Sequence, residues 1–472
     1  MSAPSNIRVA FYGDDFTGST DVMEALTADG LKTVLFLHPP TAEQLARCPE
    51  TQAFGIAGGS RAMSPEEMDR ELPPAFEALK ASGAPLLHYK VCSTFDSSPQ
   101  IGSIGKAIEI GRRIFGDGPT PLVVGAPALG RYVVFGNLFA RSGLDSEPSR
   151  LDRHSTMRCH PVTPMDESDL RIHLSRQTSL PIQLVDVLRL NPATAATRSM
   201  AQSATRAKPS PILLFDTLDE SHLQAIGAII EDLSSLSSPL FCVGSSGLEY
   251  ALAAHHQNCK GGETDRRAKR PQAAPVRQLI AVSGSCSPVT HRQIKRAAGH
   301  GFSLVTLPPT LFTDPDRGSI ERVIAEARAA LVEGSSVILH TSLGPEDPRI
   351  AALAAALACR AEAPGRRRAG RESPAATAAL IGSVLGQLMD GIATKAPDCR
   401  LVVCGGDTST HVARVLGIDA LEFVAPMAPG SPLCRIHAPG RAVHESEIVF
   451  KGGQVGRDDF FQDVLAGGPP AT

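Results

Sequence analysis

No surplus of positive charge runs through this sequence: 46 Lys and Arg face 49 Asp and Glu, a formal net charge of -3 at pH 7. A chain without a global basic field is poorly suited to nucleic acid or an anionic membrane surface, and neither is expected as a partner. The ten cysteines stand singly at positions 48, 92, 159, 242, 259, 286, 359, 399, 404 and 434, with no C-x-x-C spacing. That pattern argues against a disulfide framework or a zinc site and leaves most of them as buried thiols. No stretch approaches the ~18 apolar residues that cross a bilayer. The opening MSAPSNIRVAFYGDD holds no basic segment followed by a long apolar one, so the expected location is cytoplasmic. No internal repeat of fixed period is visible.

What is present is the composition of a soluble globular protein, 42% hydrophobic and 20% charged over 472 residues, a length that suits two domains. Short apolar runs ending in Gly, Ser or Asp recur: IRVAFYGDD, AFGIAGGS, PLLHYKV, PLVVGAP, PLFCVGSS, QLIAVSGSCS, SVILHTS and RLVVCGGDTS. Amphipathic stretches such as SGLEYALAAHHQ and AALIGSVLGQLMDGIA lie between them. Strand followed by helix, repeated, predicts an α/β fold of two domains with mainly parallel sheets, in which ligands collect at the carboxyl ends of strands. The polar segment His255 to Pro275 divides the chain into domains 1–262 and 276–472. Arginines between Arg366 and Arg371 lack interleaved aromatics and read as a solvated loop.

Chemistry concentrates at the strand ends. In GDDFTGSTD, Gly13 allows a tight turn, and Asp14 and Asp15 precede a helix start with exposed N–H groups. Adjacent carboxylates are expected to point in different directions, one orienting and the other binding a hydroxyl or a metal. The alternative is that Asp15 or Thr17 simply caps the helix. HYKVCSTFDSS places Lys90 near hydroxyls as a point charge for a carboxylate or phosphate, with an ordinary surface turn as the alternative. Arg61 stands just before a helix starting near Ser64 and Pro65, and suits bidentate carboxylate binding. Arg131 lies in a Gly- and Pro-rich turn. Toward the C-terminus, VSGSCSPVTHRQ and VVCGGDTSTHVARVL are each a strand, a small-residue turn and a helix, a site for phosphates. In FKGGQVGRDDFF, Gly452, Gly453 and Gly456 allow close backbone approach to a nucleotide. Neither a P-loop, a full G-x-G-x-x-G, nor a nucleophile elbow is present.

Along nearly the whole chain these motifs resemble the four-carbon acid sugar kinases, formerly a domain of unknown function. DDFTGSTD resembles the family's opening D-D-x-T-G-x-x-D, and SR at Ser60, GAPALGR, HPVTPMDES, RQT, VGSSGLEYALA, GSCSPVTHRQ, GGDTS, APGSPL and KGGQVG follow in the family's order. The resemblance implies an ATP- and Mg2+-dependent kinase with an N-terminal sugar-acid domain, a C-terminal nucleotide domain and an active site in the cleft between them. It implies that Asp14 or Asp15 is the base toward the attacking hydroxyl, and that Arg61 and Lys90 hold the acid's carboxylate, with Asp21, Ser93 and Thr94 also at the substrate. It places Ser285, Ser287, Gly405, Gly406, Asp407, Thr408, Gly452 and Gly453 at ATP. A homodimer is a further expectation. Phosphoryl transfer is mostly positioning and neutralisation of charge.

One departure bears on the substrate. Where the family commonly reads K-x-D-S-T-L-R-G-N, this chain has Cys92 for the first Asp and Asp96 for the Arg. Exchanging a cation for an anion changes which acid fits. The departure favours a 3-oxo acid, 3-oxo-tetronate or the branched 3-oxo-isoapionate, over threonate or erythronate, with the branched acid preferred. Other classes remain open on sequence: a non-catalytic binding homologue, or an enzyme using Lys90 as a Schiff base.

Overall fold

A computed structural model describes residues 6–141, 147–160, 162–190, 199, 203–259, 271–313, 316–361, 374–396 and 398–469. The arginine-rich stretch from 366 to 371 lies outside them. Contacts divide the chain into two compact units, Met1–Ala268 and Lys269–Thr472.

The first unit is built on strands β1 (Val9–Gly13), β2 (Thr33–Phe36), β3 (Ala53–Ala57), β4 (Leu86–Lys90) and β5 (Thr120–Val123). A small antiparallel sheet of β6 (Arg131–Val134), β7 (Asn137–Ala140) and β8 (Ser149–Arg150) follows, then β9 (Ile182–Val185), β10 (Ile212–Phe215) and β11 (Leu240–Gly244) rejoin the main sheet. There the order is β2-β3-β1-β4-β11-β5-β10-β9, every pair parallel. Strands β1, β3, β4 and β11 are buried along their whole length, as their near-continuous apolar runs require of a parallel sheet covered on both faces. The cover includes helices Phe16–Ala28, Pro65–Ala81, Ile104–Phe115, Glu220–Leu236 and Gly247–Cys259. Ser64 and Glu67 form a capping box with Pro65 at the first turn, so the helix after Arg61 begins where the sequence predicts. The last of these helices continues to Cys259, so the polar segment beginning at His255 is helical over its first five residues.

Register decides what this unit can do. Ala57 pairs with Gly13, Gly13 with Lys90, Lys90 with Gly244, and Gly244 with Val123. Five strand ends therefore form one row, and the segments after them all leave from the same edge of the sheet.

The second unit repeats the logic with β12 (Leu279–Ser283), β13 (Ser303–Thr306), β14 (Val337–His340), β15 (Arg400–Cys404) and β18 (Glu447–Lys451), parallel in the order β13-β14-β12-β15-β18. Strands β16 (Ala420–Ala428) and β17 (Ser431–His437) add an antiparallel margin beside β18. Ser283 pairs with Cys404 and Cys404 with Lys451, which again aligns three strand ends. Among the described residues Ala376–Ala393 is apolar and long enough to cross a membrane, contrary to the expectation from sequence that no stretch would be. Its Val384, Leu385, Leu388, Met389 and Ile392 are buried inside the unit, as in the core helix of a folded domain.

Helices Glu220–Leu236 and Gly247–Cys259 approach closely at Gly227, where a Cβ would lie 2.1 Å from the Ala251 carbonyl oxygen. Gly227→Leu is expected to destabilise the first unit by about 1–3 kcal/mol through overpacking, read as faster hydrogen exchange of these two helices with the second unit's exchange unchanged.

Candidate active site

In the first unit the strand ends are laced together by backbone bonds: Asp14 N donates to Lys90 O (2.9 Å), Gly58 N to Gly13 O (2.9 Å) and Arg61 N to Asp14 O (3.1 Å). This lacing sets the side chains. Arg61 donates from Nε and Nη2 to Asp14 Oδ2 and Oδ1 at 3.2 and 2.8 Å, and the same Nη2 lies 2.9 Å from Asp15 Oδ1. The two carboxylates thus converge on one guanidinium, where the sequence reading has them diverge, because the register brings the loop after β3 across the end of β1. Asp15 also caps the helix Phe16–Ala28, its Oδ1 accepting from Gly18 N at 2.9 Å. Capping and facing Arg61 are compatible roles of one oxygen. Asp14 is 2% exposed, whereas the Asp15 side chain keeps 29% of its surface.

Lys90 is buried, and its Nζ lies 3.9 Å from Asp21 Oδ2. Two cations therefore serve three carboxylates, Asp14, Asp15 and Asp21. Burial pushes the Asp14 carboxyl above its ordinary range and Arg61 does not cancel that; Asp21 is raised by burial against the pull of Lys90. Burial opposes the Arg61 charge, but Asp14 and Asp15 more than offset it and hold the guanidinium well above its ordinary value. Behind Lys90, fully buried His88 donates from Nε2 to Gly244 O (3.1 Å) while its Nδ1 meets Glu249 Oε1 at 2.7 Å. A carbonyl can only accept, so the Nδ1–Oε1 contact shares a single proton.

The loop after β4 carries the residues that depart from the family pattern. Thr94 Oγ1 donates to Asp96 Oδ1 at 2.7 Å and lies 2.9 Å from Cys92 Sγ. One hydroxyl has one proton, so the Cys92 thiol is the donor to Thr94. It is neutral, its pKa pushed up to about 11 by burial and by Asp96. Phe95 adopts a left-handed φ of 57° and is fully buried, fixing the direction of Asp96. Ser93 is half-buried beside them.

In the second unit, Gly405 (φ 133°) donates its N–H to Lys451 O at 2.9 Å, and Gly284 N donates to Cys404 O at 3.0 Å. A Cβ on Gly405 would lie 2.5 Å from Thr408 Oγ1, so only glycine fits. The helix Gly406–Val415 starts there without a side-chain cap, leaving first-turn N–H groups for an anion. A Cβ on Gly406 would meet nothing within 4 Å. The side chain of Asp407 lies outside the described residues. Ser287 caps the helix Pro288–Ala298 through Val289 N, and Ser285 Oγ accepts from Ser287 N at 3.2 Å. The Gly453 backbone lies against both serines, where a Cβ would be 2.8 Å from Ser285 Oγ. The structure thus gathers Ser285, Ser287, Gly405, Thr408, Gly452 and Gly453 around three adjacent strand ends.

Two residues that the sequence reading missed hold these turns. Fully buried Lys451 donates to Thr290 Oγ1 (3.0 Å), Gly452 O (3.0 Å) and Val455 O (3.3 Å), while Thr290 Oγ1 donates to Gly453 O (2.9 Å). Burial lowers the lysine pKa. The available signal was a lysine closing the otherwise apolar strand EIVFK ahead of two glycines.

Gly18 marks how tightly the first site is built: a Cβ there would lie 2.4 Å from Asp15 Oδ1 and 2.9 Å from Lys90 Nζ. Gly18→Ala is expected to leave the circular dichroism spectrum unchanged while lowering turnover at least about tenfold, one lost charged hydrogen bond being worth roughly 1.5–3 kcal/mol.

A family model described as a sugar-binding N-terminal domain matches residues 9–252, and one described as a nucleotide-binding C-terminal domain matches residues 280–461. A 3-oxo-isoapionate kinase of Paraburkholderia graminis is 46% identical over 98% of this chain and 95% of its own length. A 3-oxo-tetronate kinase of Methylobacterium radiotolerans is 32% identical over 98% of this chain and 99% of its own. The crystal structure of a Haemophilus influenzae protein has the same fold, with a TM-score of 0.69 at 22% identity over 96% of this chain and 98% of that one. The chain, with its acidic pair on Arg61 in a sugar-binding domain and its small-residue turns in a nucleotide-binding one, belongs to the four-carbon acid sugar kinase family.

Proposed function

We propose that this protein is a cytoplasmic ATP-dependent kinase that phosphorylates a hydroxyl of 3-oxo-isoapionate. The observation that carries the substrate is the 46% identity to a 3-oxo-isoapionate kinase along nearly the whole of both chains. The Cys92–Thr94–Asp96 chain of hydrogen bonds supports it, since an acceptor replaces the family's cation beside the sugar site. The 32% relative keeps 3-oxo-tetronate as the second reading.

In this reading Asp15 is the base. Its Oδ1 is held by Gly18 and Arg61, while among the described residues Oδ2 has no hydrogen bond and so remains for a substrate hydroxyl. Asp14, with both oxygens on Arg61, positions the guanidinium instead. Lys90 supplies positive charge next to Asp15. The turns at Ser285, Gly405–Thr408 and Gly452–Gly453 receive the phosphates through N–H groups and hydroxyls. Among the described residues no group of three His, Cys, Asp or Glu could hold a metal, which fits Mg2+ carried mainly by the phosphates with one or two protein carboxylates. When bound, that ion neutralises phosphate charge.

A coupled ADP-release assay tests the reading. Turnover with 3-oxo-isoapionate should exceed that with 3-oxo-tetronates, threonate and erythronate, and chelation of Mg2+ should abolish it; an ATP-binding protein silent on all four acids would overturn the proposal. Asp15→Asn is expected to lower kcat by about 10²–10⁴ with ATP affinity nearly unchanged. Gly406→Leu, placing a side chain in the open space before the helix, should weaken ATP and spare sugar-acid binding. Because the Asp14 carboxyl is raised, it is ionised only above that raised value and takes up a proton earlier on acidification, loosening Arg61. The acid limb of kcat/KM should therefore lie above the ordinary aspartate range, as a pH–rate profile will show.

A further inference from the structure

A sugar acid brings its own carboxylate, and the cations expected to receive it are already engaged. Arg61 gives Nε and Nη2 to Asp14 and the same Nη2 to Asp15, and Lys90 stands by Asp21. A fourth carboxylate placed on these two cations would meet net repulsion.

Arg131 offers what they lack. It follows the turn that leaves β5, one of the five strand ends in the row containing Gly13 and Lys90. Gly130, at a φ of 68°, turns the chain there, and Arg131 begins β6 where the sequence reading has it within the turn. Its Nη1 donates to three backbone carbonyls, of Leu129 (2.9 Å), Gly130 (3.3 Å) and Arg141 (3.2 Å). Those partners are neutral, so they hold the side chain without cancelling its charge. Among the described residues no carboxylate lies within ion-pair distance of it, Nη2 donates to none, and Nε is buried with no hydrogen-bond partner. A buried donor left unmade costs about 1–3 kcal/mol, which a ligand oxygen can recover. The Asp96 carboxylate acts on it through space and the neutral Cys92 thiol is also nearby, which puts the guanidinium toward the loop after β4. A guanidinium pinned at one nitrogen with the rest of its fork unspent suits a planar carboxylate.

We propose that Arg131, held by three backbone carbonyls and carrying an unpaired guanidinium, is the residue that binds the substrate's carboxylate, and that Arg61 instead positions Asp14 and Asp15. The assignment rests on the sugar-acid kinase reading, and its test separates the two. The acid and its uncharged carboxamide analogue are compared as substrates and, by calorimetry without ATP, as ligands of the full-length protein. Arg131→Met is expected to raise KM for the acid about 10- to 150-fold, the loss of one charged hydrogen-bonding partner, with KM for ATP unchanged and the preference for acid over carboxamide abolished. Arg131→Lys should restore part of that preference, and Arg61→Gln should lower kcat while keeping it. An Arg131 that only braces its turn would weaken acid and carboxamide equally, and that result overturns the assignment. So does a preference retained in Arg131→Met but lost in Arg61→Gln. A wild-type protein that neither binds nor phosphorylates any acid overturns the kinase reading and this assignment with it; acid turnover with an unaltered preference in Arg131→Met overturns the assignment alone.

Discussion

Two adjacent carboxylates at the end of a buried strand persist because one guanidinium meets both. Asp14 is 2% exposed, and a buried carboxylate without a cation would be expected to take up a proton. Arg61 supplies the charge from the neighbouring strand end, two of its nitrogens on Asp14 and one of those also on Asp15. Removing it would leave two like charges and Asp21 against Lys90 alone. Much of the site follows from this contact: Asp14 is held at both oxygens, Asp15 has one oxygen without a hydrogen bond among the described residues, and both Arg61 and Lys90 already stand beside carboxylates.

The second unit holds its turns by a different means. Among the described residues no side-chain acid caps the helix at Gly406, and Lys451 points its ammonium at a hydroxyl and two carbonyls inside the unit. A buried ammonium bonded to neutral acceptors keeps its charge behind the turn without filling the space in front of it. The helix Gly406–Val415 starts with no side-chain cap bond, a Cβ on Gly406 would meet nothing within 4 Å, and the Gly453 backbone lies against Ser285 and Ser287. Such a surface suits phosphates, which need many weak donors in fixed places more than one strong partner. The two units thus present opposite chemistry at equivalent edges, an acidic cluster in one and a cradle of N–H groups and hydroxyls in the other.

Particular elements show how far the sequence could be read. The helix start at Ser64 and Pro65, the Asp15 cap that the sequence left as an alternative, and the turn at Gly405 are local, each set by residues within four positions of one another. The convergence of Asp14 and Asp15 on Arg61 is not, since it joins positions 47 residues apart through the order of strands. His88 with Glu249 spans 161 positions and Lys451 with Thr290 also 161, and nothing in the local pattern of either segment names its partner. The apolar helix Ala376–Ala393 shows the limit in the other direction: its composition suits a membrane, and only the packing of Leu385, Leu388 and Met389 makes it a core helix.

The sequence by itself determined the α/β class, the two-part organisation and which turns carry chemistry, because periodicity, glycines and caps act over a few residues. Only the tertiary structure decided which charges meet. Parallel register aligned Ala57, Gly13, Lys90, Gly244 and Val123 in one row, which joined Arg61 to the acidic pair, while among the described residues Arg131 donates only to backbone carbonyls. Coulomb interactions depend on distance in space and on burial, and a linear chain states neither until it is folded.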